Sequence, residues 1–357
     1  MDYRAAMERA MELAWSGWGR VGPNPMVGAV VVRDGAVVGE GYHEAFGGPH
    51  GEVLALVAAG ARARGADLVV TLEPCAHHGK TPPCVDAILA AGIKRVVFAA
   101  ADADPVARGG ADVLRRAGVE VQGGLLEAEA RAQNAAFFHR FAGLDRPFVA
   151  VKLAVSLDGR IADARGRSRW VSGPEAREWV QWLRAGFDAV AVGAGTARAD
   201  DPELTVRGAV TPARPPLRVV VSRRAALPPE SRLVRSARET PTLALVGPEA
   251  PEAARAALAA AGVAVAEAAG PAEALVVLGR RGIGAVLVEG GGVLAGALVE
   301  ADLVDRLYLV VAPLLLGEGG VPAFAGLAAR ELERAARWRP VERRPLGADT
   351  LLVLDRR

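Results

Sequence analysis

The motifs PHGE at residues 49–52 and LEPCAHHGKTPPC at residues 72–84 hold most of the histidine and cysteine side chains of this chain. Both cysteines of the 357-residue chain, and four of its five histidines, lie between residues 43 and 84. Imidazole nitrogen and thiolate sulfur are preferred ligands of zinc. Because so few of these side chains occur elsewhere, the segment predicts a zinc site.

The spacing of these residues favours a catalytic zinc. Such an ion keeps three protein ligands and leaves a fourth position to water, and we predict that His50, Cys75 and Cys84 are the ligands. Glu52 follows the histidine by two residues, so it can reach that water without binding the metal. The pattern H-x-E followed by P-C-x-x-C is typical of zinc deaminases, in which the glutamate transfers protons. Here eight residues separate the cysteines instead of two.

Three other interpretations of this segment compete with a catalytic site. The cysteines could form a disulfide, but residues 1–18 lack the basic start of a signal peptide, so we expect a cytoplasmic protein, in which disulfides are rare. His77 or His78 could complete a closed, purely structural zinc site. The histidines could also be solvated or core residues without a metal.

The composition limits the partners of this protein. Hydrophobic residues make up 51% of the chain, which is enough for two ordinary cores. The formal net charge is only +2, so no strong basic field argues for nucleic acid as a partner. No apolar run approaches the roughly 20 residues that span a bilayer, so we expect no membrane contact. We expect a small-molecule substrate and a homodimer or homotetramer.

Strand and helix patterns alternate along the chain. We expect a helix over residues 1–18, a hairpin of strands at 29–33 and 37–42, and helices that begin near His50 and Cys84. Strands at 68–72, 96–100 and 119–122 complete an α/β layered domain. A helix over 127–141 is followed by Gly143 and Pro147, a stop signal. We therefore place two domains at residues 1–145 and 146–357.

The motif L-E-P-C-x-H-x-G-x-T-P-P-C of residues 72–84 resembles that of the bifunctional deaminase/reductase family of riboflavin biosynthesis. Further motifs of that family follow in order: DAVAVGAGT at 188–196, ADDPELTVR at 199–207, LVEGGG at 287–292 and APLLLG at 312–317. The resemblance covers nearly the whole chain. It implies an α/β protein with an N-terminal cytidine-deaminase-like three-layer α/β/α domain and a C-terminal dihydrofolate-reductase-like α/β domain.

The resemblance also implies which residues of the first half contact the substrate. These expected deaminase contacts are Asn24, His43, Lys80, Asp102 and Asp104. Two positions depart from the family, which usually has alanine where Gly51 stands and commonly has asparagine where Asp104 stands. The second departure replaces an amide contact to the substrate's sugar with a carboxylate, so it bears on affinity rather than on chemistry.

Glycine-rich motifs in the second half point to a dinucleotide. The three glycines at 290–292 lie between a predicted strand and a predicted helix, where backbone N–H groups can bind phosphate, although close backbone packing explains them equally well. Gly193-Ala-Gly195 is a weaker signal because a third glycine is absent. Ser222-Arg223-Arg224 follows a strand and offers cations, which suit the 2′-phosphate of NADPH better than the free hydroxyl of NADH.

The resemblance implies the rest of the reductase pocket. The expected substrate-binding residues are Lys152, Ser168, Arg184, Asp200, Leu204, Arg207 and Glu289. The expected NADPH-binding residues are Ala154, Trp170, Gly193, Thr196, Asp200, Ser222, Gly290, Gly291 and Gly292. From the residues alone, Arg184 and Arg207 could clamp a sugar phosphate through bidentate hydrogen bonds.

Residue chemistry and resemblance together predict a bifunctional enzyme of riboflavin biosynthesis. Zinc-dependent hydrolytic deamination of 2,5-diamino-6-(5-phosphoribosylamino)pyrimidin-4-one, with Glu52 as the proton-transfer group, precedes NADPH reduction of the ribosylamino group to ribitylamino. Two alternatives stay open. One is a deaminase of a nucleoside or RNA base with an accessory C-terminal domain, and the other is a zinc-stabilised binding protein without activity.

Overall fold

A computed structural model describes residues 2–208 and 210–356 of the chain. The chain divides into two compact units, of which the first ends at Gly143 and the second begins at Leu144. Each unit has its own main sheet and its own apolar core. Within the described ranges, no helix combines the length and the apolar composition needed to cross a membrane.

Unit 1 is built from five strands and six α-helices. The strands are β1 (Gly28–Arg33), β2 (Ala36–Tyr42), β3 (Asp67–Leu72), β4 (Arg95–Ala100) and β5 (Glu120–Gly123). The helices are α1 (Tyr3–Ala14), α2 (Gly51–Ala59), α3 (Cys84–Ala91), α4 (Gly110–Arg116), α5 (Glu127–Gln133) and α6 (Ala135–Arg140). The sheet has the order β2-β1-β3-β4-β5, in which β1 pairs antiparallel with β2 and β3 and the last three strands run parallel.

Glycines on β1 and β2 show that helices cover both faces of this sheet. Gly28 faces α1, because a Cβ there would lie 1.9 Å from the carbonyl oxygen of Ala10. Gly39 and Gly41 face α2 on the opposite side, where added Cβ atoms would lie 2.3 and 2.4 Å from backbone atoms of Ala55. The absence of side chains here lets both helices pack closely, which produces the predicted three-layer α/β/α arrangement.

The predicted helix over 127–141 is wrong in one respect, because it is interrupted at Asn134. The backbone of Asn134, with φ −106° and ψ 29°, lies outside the α-helical region. Its side chain accepts a hydrogen bond from the N–H of Met26 at 2.8 Å and donates one to the Met26 carbonyl at 2.9 Å. This two-sided contact to a distant loop accompanies the break in an otherwise helical pattern.

Unit 2 has eleven strands and six α-helices among its described residues. The strands are β6 (Phe148–Val155), β7 (Arg160–Ala162), β8 (Ala189–Gly193), β9 (Leu217–Ser222), β10 (Thr242–Val246), β11 (Ala264–Glu267), β12 (Ala285–Glu289), β13 (Arg306–Val311), β14 (Val321–Pro322), β15 (Trp338–Leu346) and β16 (Asp349–Arg356). The helices are α7 (Pro174–Ala185), α8 (Ala194–Asp200), α9 (Arg232–Arg235), α10 (Glu252–Ala260), α11 (Pro271–Arg280) and α12 (Gly292–Glu300).

The main sheet of unit 2 reverses its direction of winding at its centre. Its order is β11-β10-β9-β8-β12-β6-β13-β16-β15, with parallel pairing from β11 to β13 and antiparallel pairing at the β16 and β15 edge. After β8 the chain continues to β9, toward the β11 edge of the sheet. After β12, the neighbour of β8, it continues to β13, toward the β15 edge. Ligands of open parallel sheets bind at the carboxyl ends of the strands at such a point. The fold therefore singles out the loops that follow Gly193 and Glu289.

Candidate active sites

Three side chains from separate elements of unit 1 converge at one point. His50 is the N-cap residue of α2, Cys75 lies in the loop after β3, and Cys84 is the first residue of α3. His50 Nδ1 lies 3.2 Å from Cys84 Sγ and 3.6 Å from Cys75 Sγ, and all three ligand atoms lie within 4.8 Å of one another. One zinc ion about 2.1–2.3 Å from each atom fits this triangle. In the described part of the chain, this is the one cluster of its kind, and neither His77 nor His78 belongs to it.

The surroundings of the two cysteines favour metal binding. Both are buried, and they are free thiols rather than the alternative disulfide. The backbone N–H of Cys84 donates to Cys75 Sγ at 3.4 Å. Hydrogen bonding from the Cys84 side chain, supported by His50, lowers the pKa of Cys75 to about 4. Because zinc binds thiolate rather than thiol, this donor set fits the predicted ion.

Glu52 combines burial with an unused oxygen atom. It lies in the first turn of α2, and only 3% of its surface is exposed. Burial raises the pKa of this carboxyl group. No partner of its Oε2 atom is found among the described residues, and the side chain lines a cavity of about 320 Å³ together with His50 and Cys75. A carboxyl group in this position can accept a proton and return it.

A short chain of hydrogen bonds orders another wall of this cavity. His43 Nδ1 lies 3.0 Å from the carbonyl oxygen of Pro49, and its Nε2 lies 3.2 Å from Asn24 Nδ2. Burial lowers the pKa of His43, which favours the neutral ring. A neutral His43 ring that donates from Nδ1 to the Pro49 carbonyl oxygen accepts the Asn24 amide N–H at its Nε2. The Asn24 side-chain carbonyl oxygen then remains available as an acceptor at the cavity.

The other predicted deaminase residues line the same cavity. Burial raises the pKa of Asp102 to about 6. Asp102 Oδ1 accepts the N–H of Asp104 at 2.9 Å, and the Asp104 carboxylate accepts the N–H of Val106 at 2.9 Å, so Asp104 also closes a turn. Lys80 Nζ lies 4.0 Å from the centre of the Phe46 ring, in cation–π contact.

Sequence reasoning missed the role of Glu73, which lies in the same motif as Cys75. Its Oε1 accepts the N–H groups of Gly109 and Ala111 at 3.1 and 3.0 Å, and its Oε2 accepts the N–H of Asp102 at 3.3 Å. Glu73 is buried and thereby holds the loop from Asp102 to the start of α4 against the metal motif. Glu73 stands in a motif that the sequence analysis quoted, but its hydrogen-bond partners lie about 30 to 40 residues further along the chain, so no local pattern predicts them.

Unit 2 contains a cavity of about 1550 Å³ at the carboxyl ends of β6, β8, β9 and β12. All of the residues predicted to bind the reductase substrate or NADPH line it: Lys152, Ala154, Ser168, Trp170, Arg184, Gly193, Thr196, Asp200, Leu204, Arg207, Ser222, Glu289, Gly290, Gly291 and Gly292. Ordinary small-molecule pockets measure about 300–1,000 Å³. This cavity therefore has room for a dinucleotide and a second ligand.

The loop after β12 forms a backbone cradle that only glycine permits. Gly290 and Gly291 have φ values of +65° and +82°, in the left-handed region. A Cβ on Gly291 would lie 2.7 Å from Thr196 Oγ1, and a Cβ on Gly292 would lie 2.2 Å from the carbonyl oxygen of Pro322. The loop after β12 thus approaches the start of α8, with Gly290 and Gly291 half-buried at the cavity, whereas Gly292 is buried against Pro322, as the alternative of close backbone packing expects. This geometry fits a pyrophosphate group.

Three charged groups lie together in one wall of the cavity. Arg184 donates from Nε and Nη2 to the two oxygens of Glu289, at 2.5 and 2.8 Å, and from Nη1 to the Thr205 carbonyl at 2.8 Å. Lys152 lies opposite Glu289 in the parallel pairing of β6 and β12. Burial lowers the pKa of Lys152. For Glu289, the charges of Arg184 and Lys152 outweigh burial and lower the pKa.

The two arginines predicted to clamp a sugar phosphate, Arg184 and Arg207, make different contacts in the structure. Arg184 already uses all three of its nitrogen atoms, so its visible role is to hold Glu289. Arg207 remains at the cavity with 60% of its side chain exposed, where it pairs with Glu203. Nearby, Ser168 Oγ donates to Asp200 at 3.1 Å. The phosphate contact of the two arginines stays a prediction, and Arg207 is the more exposed of the two.

Comparisons with known proteins cover both units. Residues 1–100 match the cytidine and deoxycytidylate deaminase zinc-binding region, and residues 147–352 match the RibD C-terminal domain. The chain is 41% identical to riboflavin biosynthesis protein RibD of Escherichia coli (strain K12), with 98% of each chain covered. It is 40% identical to RibD of Mycobacterium tuberculosis (strain ATCC 25618 / H37Rv), with 98% of this chain and 96% of that protein covered.

Two solved structures resemble the whole chain. RibD of Acinetobacter baumannii superimposes with a TM-score of 0.83 at 37% identity over 99% of both chains. A diaminohydroxyphosphoribosylaminopyrimidine deaminase/5-amino-6-(5-phosphoribosylamino)uracil reductase of Thermotoga maritima gives a TM-score of 0.81 at 36% identity, again over 99% of both chains. These matches confirm the predicted fold class, a cytidine-deaminase-like domain followed by a dihydrofolate-reductase-like domain. The chain therefore belongs to the RibD family of riboflavin biosynthesis proteins.

Proposed function

We propose that residues 1–145 form the deaminase and residues 146–357 the reductase of a bifunctional enzyme of riboflavin biosynthesis. The enzyme is both a hydrolase and an oxidoreductase, uses Zn²⁺ and NADPH, and acts on a small-molecule substrate. The proposed deaminase activity rests on one observation. The clustered His50, Cys75 and Cys84 and the buried Glu52 meet at one cavity. The reductase activity rests on the large cavity at the winding reversal of the unit 2 sheet.

The deaminase replaces the 2-amino group of 2,5-diamino-6-(5-phosphoribosylamino)pyrimidin-4-one with oxygen from water and releases ammonia. His50, Cys75 and Cys84 hold the zinc ion, which supplies the Lewis acidity that makes water a nucleophile near neutral pH. Glu52 would accept one proton of the water at its unpaired Oε2 and deliver it to the ring nitrogen, and would then carry the second proton, from the added hydroxyl group, to the leaving amino group. The raised pKa of Glu52 keeps the added proton on the carboxyl group until it is transferred.

Other side chains of this cavity orient the substrate. The Asn24 carbonyl oxygen, directed by neutral His43, accepts a hydrogen bond from the pyrimidine ring. Asp102 and Asp104 face the sugar, and Lys80 supplies a cation for the phosphate end. The cation–π contact with Phe46 keeps the Lys80 ammonium near the cavity in the absence of phosphate.

The reductase converts the ribosylamino group of the deaminated product to ribitylamino, with hydride supplied by NADPH. The glycines of the loop after β12 and Thr196 bind the pyrophosphate. Lys152, oriented by Glu289 and its partner Arg184, contacts the reacting end of the sugar. Ala154, Trp170 and Ser222 line the cofactor side of the same cavity, and Ser168, Asp200, Leu204 and Arg207 line the substrate side.

We further propose a cytoplasmic homodimer or homotetramer without a nucleic-acid partner. The low formal net charge of +2 supports the expectation that no nucleic acid binds. Sedimentation equilibrium of the full chain measures the assembly directly, and a monomer would contradict this part of the proposal alone.

One experiment tests both activities. The diaminopyrimidine phosphate is supplied to the enzyme, and ammonia release and NADPH oxidation are followed separately, with and without a zinc chelator. We expect ammonia without NADPH, NADPH oxidation only after deamination, and loss of ammonia release after chelation. Ammonia without any NADPH oxidation would favour a deaminase with an accessory domain. No ammonia from zinc-loaded protein would contradict the assigned substrate.

A further inference from the structure

The wall of the deaminase cavity contains an aromatic side chain that the chemistry above does not use. Two phenylalanines of the described chain line this cavity, Phe46 and Phe137. The ring of Phe46 is engaged by Lys80, whose ammonium nitrogen lies 4.0 Å from the ring centre. Phe137 belongs to α6, is half-buried and presents part of its ring to the cavity. It is therefore a candidate contact for the substrate.

Two neighbouring rings fix the orientation of Phe137. The ring centres of Phe137 and Phe138 lie 5.4 Å apart with an interplanar angle of 77°, and those of Phe137 and Phe141 lie 5.2 Å apart at 66°. Edge-to-face contacts of this kind are a preferred geometry of aromatic pairs. Phe138 in turn packs against the apolar core of unit 1. The three rings therefore tie Phe137 to the body of the unit.

Both ends of α6 bind the loop that carries Asn24. Before the first residue of the helix, Asn134 holds the N–H and the carbonyl group of Met26, at 2.8 and 2.9 Å. At the last residue of the helix, Arg140 donates from Nη1 to the carbonyl oxygen of Pro23 at 3.1 Å. These contacts lie on either side of Asn24 along the loop. The helix therefore fixes its central phenylalanine relative to the side-chain carbonyl oxygen that is available to the pyrimidine ring.

The polar groups of this cavity leave the two faces of a pyrimidine ring uncovered. The donors and acceptors of such a ring lie in the ring plane, so a group such as the Asn24 amide reaches only its edge. The faces require apolar contacts, which Val27, Leu72 and Phe137 offer in this cavity. Proteins commonly bind bases by stacking them on aromatic side chains. The position and the chemistry of Phe137 both suit this contact.

We propose that Phe137 binds one face of the substrate's pyrimidine ring and thereby positions the ring for deamination. This inference rests on the proposed deaminase function. Phe137 transfers no proton and binds no metal, so it acts as a positioning residue. It lies beyond residue 100, where the match to the zinc-binding region of cytidine and deoxycytidylate deaminases ends. The contact therefore comes from a part of the chain outside that match.

Steady-state kinetics of ammonia release test this role in the full-length, zinc-loaded enzyme, with the diaminopyrimidine phosphate as substrate. Two competing inhibitors represent the parts of the substrate. The first, 5,6-diaminouracil, carries the ring without the sugar and lacks the 2-amino group, and the second, ribose 5-phosphate, carries no ring. The variants are Phe137→Ala, which removes the aromatic ring, and Phe137→Tyr, which keeps one. Phe141→Ala is the matched control, because Phe141 contacts Phe137 but does not line the cavity.

We expect Phe137→Ala to raise the inhibition constant of 5,6-diaminouracil by about 5- to 100-fold and to lower kcat/KM by a similar factor, because a stacking contact is lost. The inhibition constant of ribose 5-phosphate and the zinc content should not change. Phe137→Tyr should keep most of the parent activity, and Phe141→Ala should behave like the parent enzyme.

An unchanged kcat/KM in Phe137→Ala would overturn the inference. An equal loss in Phe141→Ala, or an equal loss of inhibition by ribose 5-phosphate, would also overturn it, since either result would indicate general damage to α6 or to the cavity. Absence of ammonia release from the zinc-loaded parent enzyme would contradict the proposed deaminase function itself, and the inference would fall with it.

Discussion

Two buried glutamates near the metal motif differ in what their oxygen atoms do. Glu73 uses both oxygens to hold backbone N–H groups, so it has no free atom for chemistry. Glu52 has an oxygen without a partner among the described residues. A buried polar atom costs about 1–3 kcal/mol unless a water or ligand pairs with it, and Glu52 Oε2 is such an atom in a side chain that lines the cavity. This contrast assigns proton transfer to Glu52 and loop organisation to Glu73.

The substitution Glu52→Gln tests that assignment. Glutamine keeps the shape of the side chain but cannot accept and return a proton, so ammonia release should fall by about 10²- to 10⁴-fold. The zinc content of the purified protein should not change, because Glu52 is not one of the three clustered ligands. Ammonia release is measured beside zinc content by atomic absorption. Wild-type activity in the zinc-loaded variant would refute the assignment of proton transfer to Glu52.

The ion pair between Arg184 and Glu289 offers a second test among single residues. Glu289→Gln removes the charge that holds Arg184 and faces Lys152, and a buried charge that loses its partner costs about 3–5 kcal/mol. We expect a lower thermal midpoint and a reduced rate of NADPH oxidation. Glu342→Gln is the matched control, because its pair with Arg344 is largely exposed, contributes little and lies outside the cavity. Equal losses in both variants would argue against a special role of the buried pair.

At the scale of elements, periodicity and turn residues predicted most of the strands and helices of unit 1. The strands around Val30 and Val69 and the helices that begin at Gly51 and Cys84 follow from local patterns. The three metal ligands could be predicted because histidine and cysteine are scarce and their chemistry is specific. Contacts between distant segments could not, since hydrogen bonds such as those of Glu73 to Gly109 leave no local signature.

The same limit explains why sequence reasoning could not distinguish Arg223 from Arg224. The sequence showed Arg223 and Arg224 as equivalent neighbours, and only the structure places Arg223 at the cavity. Arg184 shows the same limit, because its bidentate pair with Glu289 could not be read from the sequence. Arginine is abundant in this chain, so its function depends on which neighbours the fold supplies.

Asn134 illustrates how one element can depend on a distant loop. Its side chain makes two buried hydrogen bonds to the backbone of Met26, in the loop that leads from Asn24 of the deaminase cavity into β1. Asn134→Ala should lower the free energy of unfolding of unit 1 by about 2–4 kcal/mol, because both Met26 groups lose their partner. Urea denaturation measures the change. Gln122→Ala, at an exposed site, is the control and should be nearly neutral.

For the whole molecule, the two units have separate cores, separate sheets and separate cavities, and the residues of each cavity come from one unit. This organisation predicts that damage to one active site leaves the other intact. Lys152 is the sharpest probe, because it is half-buried in unit 2, lies opposite Glu289 and lines only the cavity of that unit. Lys152→Ala should therefore abolish NADPH oxidation while ammonia release continues at the parent rate.

The reciprocal measurement completes this argument. Glu52→Gln should fail to release ammonia but should oxidise NADPH when the deaminated pyrimidine phosphate is supplied directly. A mixture of the Lys152→Ala and Glu52→Gln proteins should then carry out both steps, since the intermediate formed by one active site can be used by another. If Lys152→Ala also loses ammonia release while its circular dichroism spectrum stays that of the parent, the two active sites are coupled and the division of labour between the units is wrong.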